Sequence, residues 1–316
     1  MGIKAVIYGF GEVGRLLAEE ALRKGIEITG VVDINPSLVG KRLNDFGFDS
    51  NARVSDKLEF DGDLVFLTTG SWLDSVYPQI EDCIKKGFNV LSTRETLSYP
   101  EYRYPELARK IDELARKNNV SVLGAGINPG FLLDALLIFL TAPSTEVYRI
   151  KAIRSADALK RRKTFQKKIG VGMKVDEVRK LLDEGKITGH VGYAESVMLV
   201  CDALKLKPDR VKEGQEIVEE NDKVLGLKGY GSAFKGNKEV IKIEFHAYAN
   251  AEEFEEIIIE GNNSVRWRST GTRGDMGTVA SIINLSEFII DCKSGLVKIS
   301  DIIPFGSVLE VGKDDT

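Results

Sequence analysis

One acidic residue of the chain stands where a general base would be expected. Glu95 lies in Ser92-Thr93-Arg94-Glu95-Thr96, directly after a short apolar run that has the pattern of a strand. In open α/β sheets, ligands bind beyond the carboxyl ends of the strands. A carboxylate at that edge could take a proton from a bound ammonium or from water. The alternative for Glu95 is a structural role at a helix N-terminus.

A second candidate region, residues 124–131 (GAGINPGF), ends another strand pattern and leads into an apolar helical stretch. Asn128 precedes Pro129, and a residue before proline is held extended. Pro129 itself suits the first position of a helix. Asn128 could therefore cap that helix or turn its amide into a ligand cleft, and the spacing favours the cap.

A histidine and several arginines are further candidates. His190 lies between glycines in GHVGYAES at the predicted start of a helix, where it could contact a ligand or be a hydrogen-bonded structural histidine. The structural alternative is favoured by spacing alone. The loop at residues 269–275 could hold a carboxylate or act as a hinge. The sequence does not choose which arginine would bind a carboxylate; the candidates are Arg154, Arg266, Arg268 and Arg273.

The segment GFGEVG at residues 9–14 is a G-x-G-x-x-G fingerprint between a strand and a helix. The first glycine permits a tight turn, the second lets backbone approach a pyrophosphate, and the third allows close packing of helix and strand. The helix N-terminus offers N–H groups and a positive dipole end to phosphates. The alternative is a glycine turn in a fold that has lost its cofactor. The predicted dinucleotide-binding residues of this loop are Gly9, Phe10, Gly11, Glu12, Val13 and Gly14.

An acidic residue bears on the choice of nucleotide. Asp33 closes the second predicted strand, about 20 residues after the glycine loop, where an acid accepts hydrogen bonds from the ribose hydroxyls of NAD. Lys41 and Arg42 follow in the next loop and could instead reach a 2′-phosphate. The sequence therefore predicts NAD as the cofactor, with NADP possible.

Three further residues are predicted to line the nicotinamide side of the cofactor. Thr68, Thr69 and Gly70 follow the carboxyl end of another predicted strand. Ligands lie at that edge of an open sheet. The alternative, of equal weight, is an ordinary turn from strand to helix.

The elements that position these residues alternate in the first part of the chain. Short apolar runs predict buried strands at residues 4–8, 28–32, 64–68, 89–92 and 120–123. Amphipathic patterns predict helices at residues 13–24, 75–86 and 106–117. Strands separated by helices imply a parallel sheet with right-handed crossovers.

The pattern changes after residue 126. Alternating stretches predict partly covered strands at residues 146–153, 210–219, 240–249 and 255–260. Helices are predicted at residues 175–183, 191–204 and 275–292. We predict an α/β protein, with a Rossmann-type doubly wound parallel sheet and an inserted α+β domain on a mostly antiparallel sheet. Residues 1–126 and 275–316 would bind the dinucleotide, and residues 127–274 would bind substrate and oligomerise.

Composition excludes several classes of protein. The 316 residues are 43% hydrophobic and 29% charged, which excludes a disordered chain. The net charge of −4 disfavours a nucleic-acid partner. No apolar stretch suits a membrane span or a signal peptide. Three distant cysteines and two histidines have no metal-ligand spacing, so we expect no metal site and a cytoplasmic location.

Six segments together resemble the 2,4-diaminopentanoate dehydrogenase family, which includes amine dehydrogenases, and more widely the N-terminal domain of dihydrodipicolinate reductase. The segments are YGFGEVG, LSTRETLSYP, GAGINPGFLLDALL, GHVGYAES, LKPDRVKEGQEIV and GLVKISDIIPFG. The resemblance implies a homodimeric enzyme that deaminates a small diamino acid oxidatively with NAD(P) and releases ammonia, or runs the reverse reaction.

The resemblance also implies roles for particular residues. The family's catalytic carboxylate matches Glu95, and His190 lies in a second cleft motif, so both are predicted to be catalytic. Asn128, Pro129 and Arg154 are predicted to bind substrate. Some members carry a second acid directly after the catalytic one, where this chain has Thr96.

Three alternatives remain. A dihydrodipicolinate reductase would carry paired histidines and a KxDxPSGT segment, which this chain lacks. A homoserine dehydrogenase would carry a lysine in the region of Glu95. A non-catalytic NAD-binding sensor would keep the loop from Gly9 to Asp33 and need no carboxylate beside the nicotinamide.

Overall fold

The short apolar runs of the first part form a parallel sheet in the computed structural model, which describes residues 2–302. Its strands are β1 (Lys4–Tyr8), β2 (Glu27–Val32), β3 (Arg53–Ser55), β4 (Leu64–Leu67), β5 (Asn89–Ser92), β6 (Ser121–Gly124) and, late in the chain, β13 (Gly295–Val297). The order across the sheet is β13-β6-β5-β4-β1-β2-β3, and neighbouring strands run parallel. The strand order reverses beside β1, because β2 pairs with one edge of β1 and β4 pairs with the other edge. Such a switch point is where ligands bind in doubly wound folds.

Helices accompany this sheet, and most of them contact its strands. They are α1 (Glu12–Arg23), α2 (Leu73–Lys85), α3 (Pro100–Arg103), α4 (Pro105–Lys117), α9 (Gly274–Asn284) and α10 (Ser286–Asp291). For example, α1 contacts β1 and β2, α4 contacts β6 and β13, and α10 contacts β5 and β6. The strands are consequently buried, and every residue of β4 and β6 is buried.

A second sheet belongs to the middle of the chain. Its strands are β7 (Val147–Asp157), β8 (Arg210–Glu220), β9 (Lys223–Lys235), β10 (Lys238–Tyr248), β11 (Phe254–Gly261) and β12 (Val265–Ser269). They are ordered β12-β11-β7-β10-β9-β8, with β7 and β10 parallel and the other neighbours antiparallel. The associated helices are α5 (Ala135–Leu140), α6 (Lys163–Lys168), α7 (Val175–Asp183) and α8 (Tyr193–Ala203). The predicted class, a doubly wound parallel sheet with a second domain on a mostly antiparallel sheet, is confirmed.

By its internal contacts the described chain divides into two units. The first comprises residues 2–130 and 275–299, and the second comprises residues 131–274 and 300–302. The predicted assignment of residues 303–316 lies outside the described residues. The functions predicted for the two domains remain predictions.

The region around Pro129 differs from the prediction. No helix begins at this proline, because residues 127–134 form bends and turns and α5 begins at Ala135. Gly130 has a φ of +124°, which a right-handed helix does not allow, and the Asn128–Pro129 peptide is cis. The cap of α5 is Asp134, whose carboxylate accepts a hydrogen bond from the backbone N–H of Ala135 at 2.7 Å. The predicted capping role of Asn128 is therefore wrong.

Strand β9 was not predicted because glycines interrupt its alternation. Gly229 and Gly231 lie against Tyr193 of α8, and a side chain at either position would overlap that tyrosine. The glycines thus allow α8 to approach the sheet closely. The predicted helix at residues 275–292 is divided at Leu285 into α9 and α10.

Among residues 2–302, no helix combines the length and the apolar character needed to cross a bilayer.

Candidate active site

The glycine loop between β1 and α1 has the geometry of a phosphate cradle. Gly9 has a φ of +101°, and a side chain there would collide with Thr68 and Thr69. A side chain at Gly14 would collide with the carbonyl of Gly9, whereas one at Gly11 would meet nothing within 4 Å. Packing therefore requires the first and third glycines, and the second faces open space. A pyrophosphate could approach the backbone there, beside the positive end of the α1 dipole.

Among the remaining predicted loop residues, Phe10 has a buried ring, so only its backbone could contact a nucleotide. The ring is 1% exposed and lies 5.5 Å from the ring of Phe46 and 5.8 Å from that of Phe48. Glu12 and Val13 form the first turn of α1, where Glu12 is exposed and Val13 is half-buried.

Asp33 holds the glycine loop in place. Its Oδ2 accepts a hydrogen bond from the backbone N–H of Phe10 at 2.7 Å, and its Oδ1 accepts one from the N–H of Asn35 at 2.9 Å. Each carboxylate oxygen has two lone pairs, so both can accept a further hydroxyl. Asp33 thus fixes the loop and keeps acceptor capacity for a ribose.

The segment after β4 is joined to the glycine loop. Thr68 donates its hydroxyl to the carbonyl of Gly9 at 2.7 Å, and Thr69 donates to Oε1 of Gln79 at 2.5 Å. Gly70 follows with a φ of +54°. Thr68, Thr69 and Gly70 therefore lie beside the glycine loop at the switch point of the sheet.

Two side chains from the segment after β5 bind the loop that follows β4. The guanidinium of Arg94 is 1% exposed; its Nη1 donates to the carbonyl of Trp72 at 2.8 Å and its Nη2 to the hydroxyl of Thr69 at 3.4 Å. Burial lowers the pKa of Arg94 to about 10, an effect that the negative charge of Glu95 opposes. With a pKa of about 10, the guanidinium of Arg94 remains charged at neutral pH.

Thr96 makes the second connection. Its hydroxyl donates to the carbonyl of Ser71 at 3.0 Å and accepts from the N–H of Leu73 at 2.9 Å. The residue that stands in place of a second acid is therefore fully buried and structural.

Glu95 lies in the sequence between Arg94 and Thr96, the two residues that hold this segment. It is half-buried and begins a single 3₁₀ turn, Glu95–Leu97, after the carboxyl end of β5. Ser98 donates its hydroxyl to the backbone carbonyl of Glu95 at 2.8 Å and closes the turn. Leu97 packs on Gly124, where a side chain would overlap the leucine backbone. The turn therefore rests on the end of β6, and Glu95 is fixed at the carboxyl edge of the sheet.

Asn128 and Pro129 lie in the turn that follows β6 in the same unit. The N–H of Ile127 is 3.4 Å from the hydroxyl of Thr278, which accepts its hydrogen bond. Gly130 lies so close to the backbone of Gly126 that a side chain would not fit. The first unit thus brings its predicted site residues together at the carboxyl edge of one sheet.

His190 belongs to the second unit, three residues before α8. Its backbone N–H donates to Oε1 of Gln215 at 2.9 Å. Its ring is edge-on to the rings of Tyr193 and Phe245, with each centroid 5.0 Å away. Burial, followed by the positive charges of nearby basic side chains, holds the pKa of His190 well below its usual value. The imidazole is therefore neutral at pH 7 and can accept as well as donate a hydrogen bond.

Arg154 is a buried part of the same region. Its Nη2 donates to the carbonyl of Thr272 at 2.9 Å, and its Nε lies 3.4 Å from Oε1 of Glu255. Glu255 also accepts from the backbone N–H of Thr272 at 3.0 Å. Arg154 and Glu255 consequently hold the loop after β12. The alternatives Arg266 and Arg268 form ion pairs with Glu256.

Sequence reasoning missed two arginines. In the sequence Arg94 is only a neighbour of Glu95, and no periodicity shows that its side chain turns back into the protein. Arg161 was not singled out, although its guanidinium lies 4.7 Å over the ring of Phe165 and against Gly274.

In the described part of the chain, no group of three His, Cys, Asp or Glu residues could hold a metal ion.

Comparison with known proteins gives one family and several relatives. Residues 131–313 match the model of the 2,4-diaminopentanoate dehydrogenase C-terminal domain. The 2,4-diaminopentanoate dehydrogenase of Acetoanaerobium sticklandii is 30% identical over 95% of this chain and 93% of its own length.

Two solved structures share the fold. The amine dehydrogenase of Mycobacterium smegmatis has a TM-score of 0.85 at 19% identity and covers 95% of this chain and 96% of its own. Dihydrodipicolinate reductase from Paenisporosarcina sp. TG-14 has a TM-score of 0.55 at 15% identity, over 96% of this chain and 100% of its own. The family match and the curated relative confirm the resemblance found in the sequence: the chain belongs to the 2,4-diaminopentanoate dehydrogenase family, whose members are NAD(P)-dependent oxidoreductases acting on CH–NH₂ groups.

Proposed function

We propose that the protein catalyses the NAD-dependent oxidative deamination of a small diamino acid such as 2,4-diaminopentanoate, or the reverse reductive amination. The observation that carries the proposal is the placement of Glu95. Two buried neighbours, Arg94 and Thr96, hold its turn at the carboxyl edge of the parallel sheet. That edge is also formed by the glycine loop and the segment after β4. The name of the curated relative supports the substrate class.

The first unit supplies the residues that would hold the dinucleotide. Gly11 has room for a pyrophosphate, and Asp33 has acceptor capacity for ribose hydroxyls. NAD is preferred over NADP because the carboxylate of Asp33 would repel a 2′-phosphate. Lys41 lies over the ring of Phe46, and Arg42 donates to the carbonyl of Asn51, so both contact their own loop.

Glu95 would act as the general base. A C=N bond can form only when the nitrogen lone pair is available, so the substrate ammonium first loses a proton to Glu95. Bound NAD⁺ would supply the acceptor for the hydride that leaves the carbon bonded to this nitrogen. Glu95 then assists the addition of water to the resulting iminium, and the carbinolamine so formed releases ammonia to give the ketone product. Proton transfer of this kind contributes roughly 100- to 10,000-fold in rate.

The other predicted residues would contact the substrate. A neutral His190 would accept a hydrogen bond from a substrate ammonium without adding a repelling charge. Asn128 and Pro129 would shape the site from the turn after β6. Arg154 would contribute positive charge, although its hydrogen bonds go to the protein.

The experiment is an absorbance screen for NADH and NADPH formation with a panel of diamino acids, amino acids and simple amines, in both directions. The variant Glu95→Gln is expected to lose roughly 100- to 10,000-fold in kcat and to keep its affinity for NADH. Glu106→Gln is the matched control, because the Glu106 side chain is 78% exposed on α4. A Glu95→Gln enzyme within about tenfold of the wild type would remove Glu95 from the mechanism.

The protein is further proposed to act as a cytoplasmic homodimer. The resemblance implies the dimer. One side of β10 is buried, and its other side carries half-buried polar side chains that would contact the partner subunit. They are Lys242, Glu244, His246 and Tyr248. Cys83 and Cys201 are buried free thiols, which suits a reducing compartment, and Cys292 is partly exposed. Light scattering after gel filtration measures the subunit number.

A further inference from the structure

Gln79 of α2 reaches the segment after β4 with its side-chain amide. Its Oε1 accepts a hydrogen bond from the hydroxyl of Thr69 at 2.5 Å. The methyl group of Thr69 lies against Gly9, where an added Cβ would come within 2.8 Å of it. A single side chain, that of Thr69, therefore connects the amide of Gln79 to the glycine loop.

The orientation of this amide is determined by a third side chain. Arg94 has only N–H donors, and its Nη2 lies 3.4 Å from the same oxygen of Thr69. Thr69 therefore accepts from Arg94 and donates its own proton to Gln79. If the amide were reversed, two donors would face the oxygen of Thr69, and the proton of Thr69 would have no acceptor within residues 2–302. The amide consequently turns its oxygen toward Thr69 and leaves its nitrogen available.

The nitrogen of this amide ends a chain of hydrogen bonds that begins at a charged group. Nε2 of Gln79 carries two N–H groups, and neither has an acceptor in the part of the chain that the structure describes. The residue is half-buried, so ligands can reach part of its side chain. Hydrogen bonds in a chain polarise one another, so a cation at one end strengthens the donors at the other end.

We propose that Gln79 binds the cofactor, and that its Nε2 donates a hydrogen bond to a pyrophosphate oxygen of the dinucleotide. The proposal rests on the proposed function only in placing a dinucleotide at the glycine loop. The oxygens of an ionised pyrophosphate accept hydrogen bonds and do not donate them, so they match a group that can only donate. Gln79 would thus extend the phosphate cradle from α1 to α2.

Two variants separate a contact with the cofactor from support of Thr69. Gln79→Met removes both the donor and the acceptor, whereas Gln79→Glu keeps an acceptor for Thr69, removes the donor and adds a negative charge. Fluorescence titration of the full chain with NADH is expected to show roughly tenfold weaker binding for Gln79→Met. The loss should be larger for Gln79→Glu, because its carboxylate repels the phosphates. A residue that only supported Thr69 would give the opposite order.

Two further nucleotides locate the contact. ADP shares the diphosphate and lacks the nicotinamide riboside, and NADPH shares the pyrophosphate and adds a 2′-phosphate. Titration calorimetry with ADP and fluorescence titration with NADPH should show the same fold-loss as NADH in each variant. A loss for NADH with none for ADP would place the contact on the nicotinamide riboside and overturn the assignment to the pyrophosphate.

A matched control lies on the same helix. Glu81→Gln removes a side chain that forms a surface ion pair with Lys85, and it is expected to leave all three affinities unchanged. Thr69→Val removes the hydroxyl that orients the amide. Combined with Gln79→Met, it should weaken NADH binding by less than the product of the two separate factors, because both changes interrupt one chain. A full product would overturn the orienting role of Thr69. Thermal unfolding of each variant verifies the fold.

Two results would overturn the proposal: wild-type affinity for NADH in both Gln79 variants, or a smaller loss in Gln79→Glu than in Gln79→Met. A different result would contradict only the proposed reaction. If the protein oxidises no amine, but NADH and ADP bind and both variants weaken them in the expected order, Gln79 remains a cofactor-binding residue without the deamination.

Discussion

Arg94 donates a hydrogen bond from Nη1 to the backbone carbonyl of Trp72 at 2.8 Å and so joins the segment after β5 to the loop after β4. This hydrogen bond connects two segments at the same edge of the sheet. The segment after β5 carries the predicted base, and the segment after β4 is predicted to line the nicotinamide side of the cofactor. We expect Arg94 to act as a positioning residue for the proposed base, because its effect on the chemistry would pass through Glu95.

The variant Arg94→Met is expected to lower kcat roughly 10- to 100-fold while the affinity for NADH stays near the wild-type value. The reason is geometric, since small displacements of a catalytic group cost about 100-fold in rate. Steady-state kinetics and a fluorescence titration with NADH give the two quantities. Arg94→Lys should recover part of kcat, because an ammonium can reach one acceptor but not both. Arg109→Met, on the exposed side of α4, is the control. Equal losses of kcat and NADH affinity would indicate a merely structural role.

The variant Thr96→Val tests the second anchor. It keeps the shape of the threonine and removes the hydroxyl that serves Ser71 and Leu73. A buried N–H left without its acceptor costs about 1–3 kcal/mol. We expect the free energy of unfolding in urea to fall by that amount. An unchanged denaturation midpoint would show that the loop finds other partners.

Asp33 is expected to set the choice of nucleotide. Asp33→Asn keeps an acceptor for the N–H of Phe10 and removes the charge that would repel a 2′-phosphate. The ratio of NADPH to NADH affinity should rise at least about tenfold, which corresponds to 1.4 kcal/mol. Fluorescence titrations with both nucleotides measure the ratio. Asp33→Ala also removes the acceptor and should weaken both nucleotides by loosening the loop. An unchanged ratio in Asp33→Asn would place the discrimination elsewhere.

Much of the fold was predictable because it depends on local patterns. The run at residues 4–8 and the strand at residues 89–92 are apolar and are ended by glycine or by polar residues, and both formed as predicted. Glu95 could be placed at the sheet edge for the same reason, since it directly follows such a strand. Strands β3 and β13 are only three residues long and carry too little pattern to predict.

The rest depends on contacts between distant residues. Arg94 turns inward to a carbonyl 22 residues earlier, and Arg161 meets Gly274 more than a hundred residues later. Neither contact leaves a periodic signal. At residues 124–131 the local rules for proline predicted a helix, and the positive φ of Gly130 prevents one. Local preference was overridden there by close packing of Gly130 on Gly126.

The two glycines Gly11 and Gly14 should separate cofactor binding from stability. Gly11→Ala adds a methyl group in open space at a φ of −76°, so the free energy of unfolding should change by less than about 0.5 kcal/mol. The same methyl group would obstruct a pyrophosphate and weaken NADH binding at least about tenfold. Gly14→Ala collides with the carbonyl of Gly9 and should destabilise the fold by about 1–3 kcal/mol. Urea denaturation and NADH titration give both quantities. Wild-type NADH affinity in Gly11→Ala would argue against a cradle at this loop.

His190 predicts how stability depends on pH. Its pKa in the folded protein is well below the usual value of about 6.5, chiefly because of burial and then because of Lys168, Arg154 and Arg161. The unfolded chain therefore binds a proton at this position below pH 6.5 and the folded chain does not, so protonation favours unfolding. The contribution is absent above pH 7 and grows as pH falls, by up to about 1.4 kcal/mol per unit between pH 6.5 and the folded pKa. Urea denaturation from pH 7.5 to pH 5 should show a shallower loss of stability in His190→Gln than in the wild type. Parallel curves for the two proteins would mean that the imidazole protonates in the folded state as easily as in the unfolded chain.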